Sequence, residues 1–258
     1  MVDREADINK YVPENPVSPI PVVVFMGTGV TLRDYHLLRT VLAENGFNSF
    51  CPDPNLAAAG NPKKWGILTD ADNIKQQTFR ETIDSVGYPN QDGVKQIYAI
   101  AHSSAILYLL PVIKEQPESS RKLILLAPAG IQPEMNPLKA VFRLWKANQE
   151  HKKDKKTMQG LGIYPADEYS LRRNWRSYLP EVLTIATTVI SKDIEELSRA
   201  GLDVTVAYHS RDRRFPREFF ISELDQKIVP LVEIIGSHGQ VRFDRAVASR
   251  LVSLLKTS

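Results

Sequence analysis

A single cysteine, Cys51, leaves no partner for an intramolecular disulfide. No Cys/His spacing resembles a zinc or iron–sulfur site, so the sequence predicts chemistry without metal or cofactor. No run reaches the roughly 18 apolar residues that a membrane-spanning helix needs. The opening stretch MVDREADINKYVPENPVSPIPVVVF lacks the basic region and apolar core of a secretory leader, and the expectation is a cytoplasmic, unanchored protein. A formal net charge of +3 over 258 residues is too small to predict nucleic acid as a partner. Internal repeats and low-complexity tracts are also missing. With 43% hydrophobic and 24% charged residues, what remains is a globular chain with enough apolar material for one large core.

Within that chain, strands alternate with helices. IPVVVFMG is a continuous apolar, β-branched run closed by glycine, the pattern of a strand buried on both faces. TLRDYHLLRTVLAENG predicts a helix, with Thr31 and Asp34 as a capping pair, Leu32, Tyr35, Leu38 and Leu42 as its apolar stripe and Gly46 as its stop. FNSFCPD, VKQIYAIA and KLILLAPAG read as three further strands, with ADNIKQQTFRETIDSVG and SAILYLLPVIKEQ as the helices between them. From Gln132 to about Ala200 helical periodicity continues and strands disappear. The alternation resumes with LDVTVAYHS, a short helix after Pro216, IVPLVEIIG, and a last helix with Phe243, Val247, Leu251 and Leu254 on one side. This predicts an α/β fold with a mostly parallel central sheet flanked by helices. Its core would comprise residues 1–131 and 201–258, and residues 132–200 would form an inserted α-helical cap.

The densest chemistry lies in YAIAHSSAILYLL, where a strand becomes a helix across His102 and Ser103. Ala101-His102-Ser103-Ser104-Ala105 has the small-x-Ser-x-small spacing of a sharp turn that lifts a serine above a sheet. These five residues alone fit equally a serine that caps a helix. Two later loops separate the readings. Asp212 follows the strand VTVAYHS, and His238 follows LVEIIG. In a parallel sheet, loops at the carboxyl ends of strands share one edge, so the order serine, acid, histidine can converge there. Glu134, after KLILLAPAG, is a rival acid, but it lies where the chain leaves for the insertion. An oxyanion hole needs the N–H after the nucleophile and another from an earlier strand loop, which points to Ser104 and to Thr28 in VVVFMGTG. GTGVTL is neither GxGxxG nor a phosphate-binding loop, which disfavours a nucleotide site.

Taken together, FMGTG, AHSSA, LAPAGI, SRDRRFP and GSHG resemble the α/β-hydrolase superfamily over nearly the whole chain. The resemblance implies Ser103 as nucleophile, His238 as general base, Asp212 as its orienting acid, and a cap formed by the insertion. There are four departures. Met26 stands where a histidine often precedes the oxyanion-loop glycine, Ala101 and Ala105 replace the elbow glycines, Pro111 falls inside the following helix, and the segment before Val22 leaves little room for the usual opening hairpin. The implied activity is cleavage of a small-molecule carboxylic ester or thioester through an acyl-enzyme. A serine nucleophile disfavours epoxide and haloalkane chemistry, while hydrolysis of a carbon–carbon bond by the same triad and a receptor-like binding protein with little turnover remain the alternatives. The runs HKKDKK and LRRNWR beside Trp145, Tyr164, Trp175 and Tyr178 read as a solvated basic face, or as a lid meeting an anionic membrane surface or acidic substrate.

Overall fold

The computed structural model describes residues 8–27, 32–52, 68–136, 138–147, 149, 183–242 and 244–257. Its strands are β1 (Ile8–Tyr11), β2 (Val22–Phe25), β3 (Ser49–Pro52), β4 (Tyr88–Pro89), β5 (Lys95–His102), β6 (Ser120–Leu126), β7 (Asp203–His209) and β8 (Leu231–Ile234). The helices are α1 (His36–Glu44), α2 (Leu68–Val86), α3 (Ala105–Glu115), α4 (Ser191–Arg199), α5 (Arg217–Glu223) and α6 (Arg245–Lys256), with further helical stretches at 138–147 and 183–187. The sheet order is β1-β3-β2-β5-β6-β7-β8, with the short β4 paired antiparallel to β5. Along that order every neighbour from β3 to β8 is parallel, and β1 runs antiparallel at the edge. A single four-residue strand therefore stands where the sequence leaves little room for a hairpin.

The uninterrupted apolar runs follow from burial on both faces. Val23 and Phe25 of β2, Ala99 and Ala101 of β5, and Leu123 and Leu125 of β6 face a core layer completed by α2, α3, α4 and α5. The alternate residues Val22, Val24, Ile100, Ile124 and Leu126 face a second layer built with α1 and α6. Leu251 and Leu254 of the last helix lie in that second layer beside Val247, while Phe243 lies outside the described residues. α4, at the end of the inserted stretch, packs Ile194 and Leu197 into the first layer just before β7.

One local difference from the sequence expectation has a simple cause. The chain enters α1 through a 3₁₀ turn over Leu32–Tyr35, so the α-helix begins at His36 with Tyr35 as a cap that offers no side-chain acceptor. Thr31 lies outside the described residues. α3 continues past Pro111 to Glu115, as the pattern SAILYLLPVIKEQ predicts. The ring removes one backbone hydrogen bond, while the apolar side chains of Ile106, Leu109, Leu110 and Ile113 stay packed in the core.

The topology fixes where a site can form. β2 leads through α1 to β3 on one side, and β3 leads through α2 to β5 on the other side of β2. Such a reversal favours a site at the carboxyl ends of β2 and β5, where the pairing ends at Phe25 and Ala101.

Candidate active site

Ser103 follows the last residue of β5 and precedes Ser104, the cap of α3. Its φ is +58°, one of two positive values among the described non-glycine residues. Such a conformation costs about 1–3 kcal/mol and persists only where neighbours enforce it. Here the Ser103 N–H donates to the Leu126 carbonyl at 2.9 Å, and the Ala129 N–H donates to the Ser103 carbonyl at 3.0 Å. The loop after β6, LAPAG, thus grips the elbow from below. Ala101 and Ala105 suffice in place of glycine because neither adopts a positive φ and both methyl groups are buried in the core. Gly27 is more constrained. A Cβ there would meet the His102 carbonyl oxygen and the Ser103 Cβ, each at 2.9 Å, so only glycine lets the loop after β2 pass this close to the elbow.

The loops after β7 and β8 are joined before they supply their side chains. The Ser210 N–H donates to the Ile234 carbonyl at 3.0 Å and the Arg211 N–H to the Gly236 carbonyl at 2.9 Å. That juxtaposition brings His238 Nδ1 to 2.7 Å from Asp212 Oδ2, and His238 Nε2 to 2.9 Å from Ser103 Oγ. The partners dictate the tautomer: a carboxylate can only accept, so Nδ1 carries the proton and Nε2 is left to accept from the serine hydroxyl. The second carboxylate oxygen of Asp212 accepts from the N–H groups of Arg214 at 2.8 Å and Phe215 at 3.1 Å. Burial alone would raise the Asp212 carboxyl, but the charge and hydrogen bond of His238, with the Phe215 N–H, hold it below the usual carboxylate range. Glu134, the rival acid, is exposed.

Ser103, Asp212 and His238 are therefore brought into one hydrogen-bonded chain. Ser104 is buried at the first turn of α3, and Thr28 lies outside the described residues. The basic runs at 151–156 and 171–176 lie outside them as well. Among the described residues no cluster of His, Cys, Asp or Glu could hold a metal ion, and no helix is long and apolar enough to cross a membrane.

Further residues belong to the site that the sequence did not single out as part of it. The buried His102 places Nε2 at 3.0 Å from the His238 carbonyl and Nδ1 on the Tyr35 hydroxyl. A carbonyl accepts only, so Nε2–H donates to it and the Tyr35 O–H donates to Nδ1. His102 thus braces the backbone of His238, with the two rings 5.0 Å apart. Tyr35 looked like one more member of an apolar helix stripe, and its hydroxyl was the overlooked signal. Phe215 packs on the His238 ring at 5.4 Å. His209, at the end of β7, is buried beside this group.

No family model and no curated protein matches the sequence. Solved structures match the fold. An alpha/beta hydrolase enzyme from the metagenome of lagoon sediments at Mar Chica, Morocco, is 15% identical, covering 96% of this chain and 92% of that one with a TM-score of 0.60. The thioesterase domain from the curacin biosynthetic pathway is 14% identical, with 97% and 94% covered and a TM-score of 0.61. The 2-hydroxy-6-oxo-6-phenylhexa-2,4-dienoate hydrolase of Rhodococcus sp. strain RHA1 is 16% identical, with 93% and 92% covered and a TM-score of 0.59.

Proposed function

From the α/β-hydrolase fold that this chain carries, we propose that it is a serine hydrolase cleaving a small-molecule carboxylic ester or thioester. The observation that carries the reading is the chain Asp212–His238–Ser103, at 2.7 and 2.9 Å, ending on a serine held at positive φ. The Ser103 oxygen attacks the substrate carbonyl carbon while His238 Nε2 takes its proton. The oxyanion lies toward the N–H groups of Ser104 and Thr28. Collapse of the tetrahedral adduct breaks the bond to the leaving group, which receives the proton from His238. Water, deprotonated by the same nitrogen, then releases the acid and restores Ser103. Asp212 keeps the proton on Nδ1 and offsets the imidazolium charge without itself being protonated. Residues 132–200 act as a cap over the acyl side, a role supported by the contact of the helix at 138–147 with the acid loop.

A fluorophosphonate probe tests the assignment directly. It is expected to label the native protein on Ser103, and Ser103→Ala is expected to abolish both labelling and turnover while the circular dichroism stays native. Labelling that persists in Ser103→Ala would place the nucleophile elsewhere.

A further inference from the structure

Arg143 belongs to the inserted stretch whose basic residues read as a solvated face, yet its guanidinium turns inward. Its helix lays Ala140, Leu144 and Ala147 against the core, and from there Nη2 of Arg143 donates to Gln132 Oε1 at 2.7 Å and Nη1 to the Arg214 carbonyl at 2.8 Å. The guanidinium also covers the Phe219 ring, 4.7 Å from its centroid. Gln132 is buried and is itself fixed, its amide donating to the carbonyls of Ile185 at 3.0 Å and Ala186 at 2.9 Å. The carbonyl gripped by Arg143 shares a peptide group with the Phe215 N–H, which donates to Asp212 Oδ1 at 3.1 Å. A trans peptide is planar with its oxygen and N–H pointing oppositely, so holding the oxygen aims the N–H at the carboxylate. A charged donor on that oxygen also polarises the peptide and strengthens its N–H as a donor.

We infer that Arg143 is a positioning residue that fixes Asp212 through the Arg214–Phe215 peptide, so that the inserted segment helps to orient His238. This rests on the reading of Ser103, His238 and Asp212 as the reacting group. Burial lowers the Arg143 guanidinium and Asp212 opposes that shift, but an arginine keeps its charge throughout the working range. A fixed cation on this side also disfavours a second positive charge on His238. The other groups facing the Asp212–His238 pair are His209 from β7 and His102 from the elbow, with Asp244 ahead of α6 acting on His209. Substitution at position 143 leaves all of them in place.

The test compares Arg143→Met and Arg143→Lys with wild type and with Ser103→Ala, using p-nitrophenyl acetate and measuring kcat, KM, the pH profile and thermal unfolding. Arg143→Met is expected to lower kcat roughly 10- to 100-fold, with KM within about 2-fold of wild type. The acid limb of kcat/KM should move upward by roughly half a pH unit, because the imidazolium is no longer opposed by the cation. Arg143→Lys keeps the charge but cannot fork between Gln132 and Arg214, so kcat should fall less and the acid limb should stay put. Wild-type kcat in Arg143→Met, a change confined to KM, or an unmoved acid limb would overturn the inference. If Arg143→Met does not fold, wild-type kcat in Arg143→Lys does so instead. Turnover that survives in Ser103→Ala sinks the underlying reading, whereas an inactive Ser103→Ala beside a fully active Arg143→Met sinks only the role of Arg143.

Discussion

His209 ends β7 fully buried, and neither ring nitrogen has a hydrogen-bond partner among the described residues. Burial pushes its imidazole from 6.5 down to about 4, against the opposing pull of Asp212. In the unfolded chain the ring titrates near its ordinary value. Between about pH 6.5 and 4 the unfolded chain therefore holds a proton that the native protein excludes, and stability falls as pH falls through that window. The gap of about 2.5 pH units, at about 1.36 kcal/mol per unit, makes the loss roughly 3 kcal/mol by pH 4. Out of a total of about 5–15 kcal/mol for a typical domain, that is readily measured. Asp212 acts in a different range: with its folded carboxyl depressed, its stabilisation is present above the ordinary carboxylate value and is lost only as pH falls further. The assay is urea unfolding followed by circular dichroism at several pH values, on wild type and His209→Leu. The wild-type midpoint should fall with pH, and the Leu variant should lose roughly 3 kcal/mol less across the window. At neutral pH the variant should be at least as stable as wild type, because two buried nitrogens without partners are removed. Parallel stability curves for the two proteins would refute the reasoning.

Other substitutions probe the reacting group. Asp212→Asn should lower turnover about 10⁴-fold by freeing the wrong histidine tautomer, and His238→Ala about 10⁴- to 10⁶-fold. Glu134→Gln should change turnover little, and the reverse ranking of the two acids in steady-state kinetics would reassign the orienting group. Gly27→Ala places a methyl 2.9 Å from the His102 carbonyl oxygen and the Ser103 Cβ, so the elbow or the loop after β2 must shift, and the elbow is expected to. Its turnover should drop roughly 10- to 100-fold, with about 1–3 kcal/mol lost in denaturant unfolding. A wild-type rate in that variant would mean that the loop, not the elbow, gives way.

The central strands β2, β5, β6 and β7 were legible because each is buried along most of its length and is therefore written as a largely apolar run, and Ser103, Asp212 and His238 because each follows a strand that the sequence marks. What stayed hidden is what depends on direction rather than position. Sequence periodicity places Tyr35 on the apolar stripe of TLRDYHLLRTVLAENG but does not tell that its hydroxyl reaches His102, or that His102 carries the bond onward to the His238 carbonyl. Arg143 is the sharper case. In LKAVFRLWKA it has lysines on either side, and nothing local separates the one cation that turns in from those that stay out. The distinction comes from residues distant in sequence: the Gln132 amide and the Arg214 carbonyl take the two terminal nitrogens and the Phe219 ring covers the guanidinium, while Nε has no partner among the described residues. A half-buried cation is tolerated best where such partners converge. They converge here because the chain leaving β6 and the chain leaving β7 meet at one sheet edge, the topology that also brings Asp212 and His238 together.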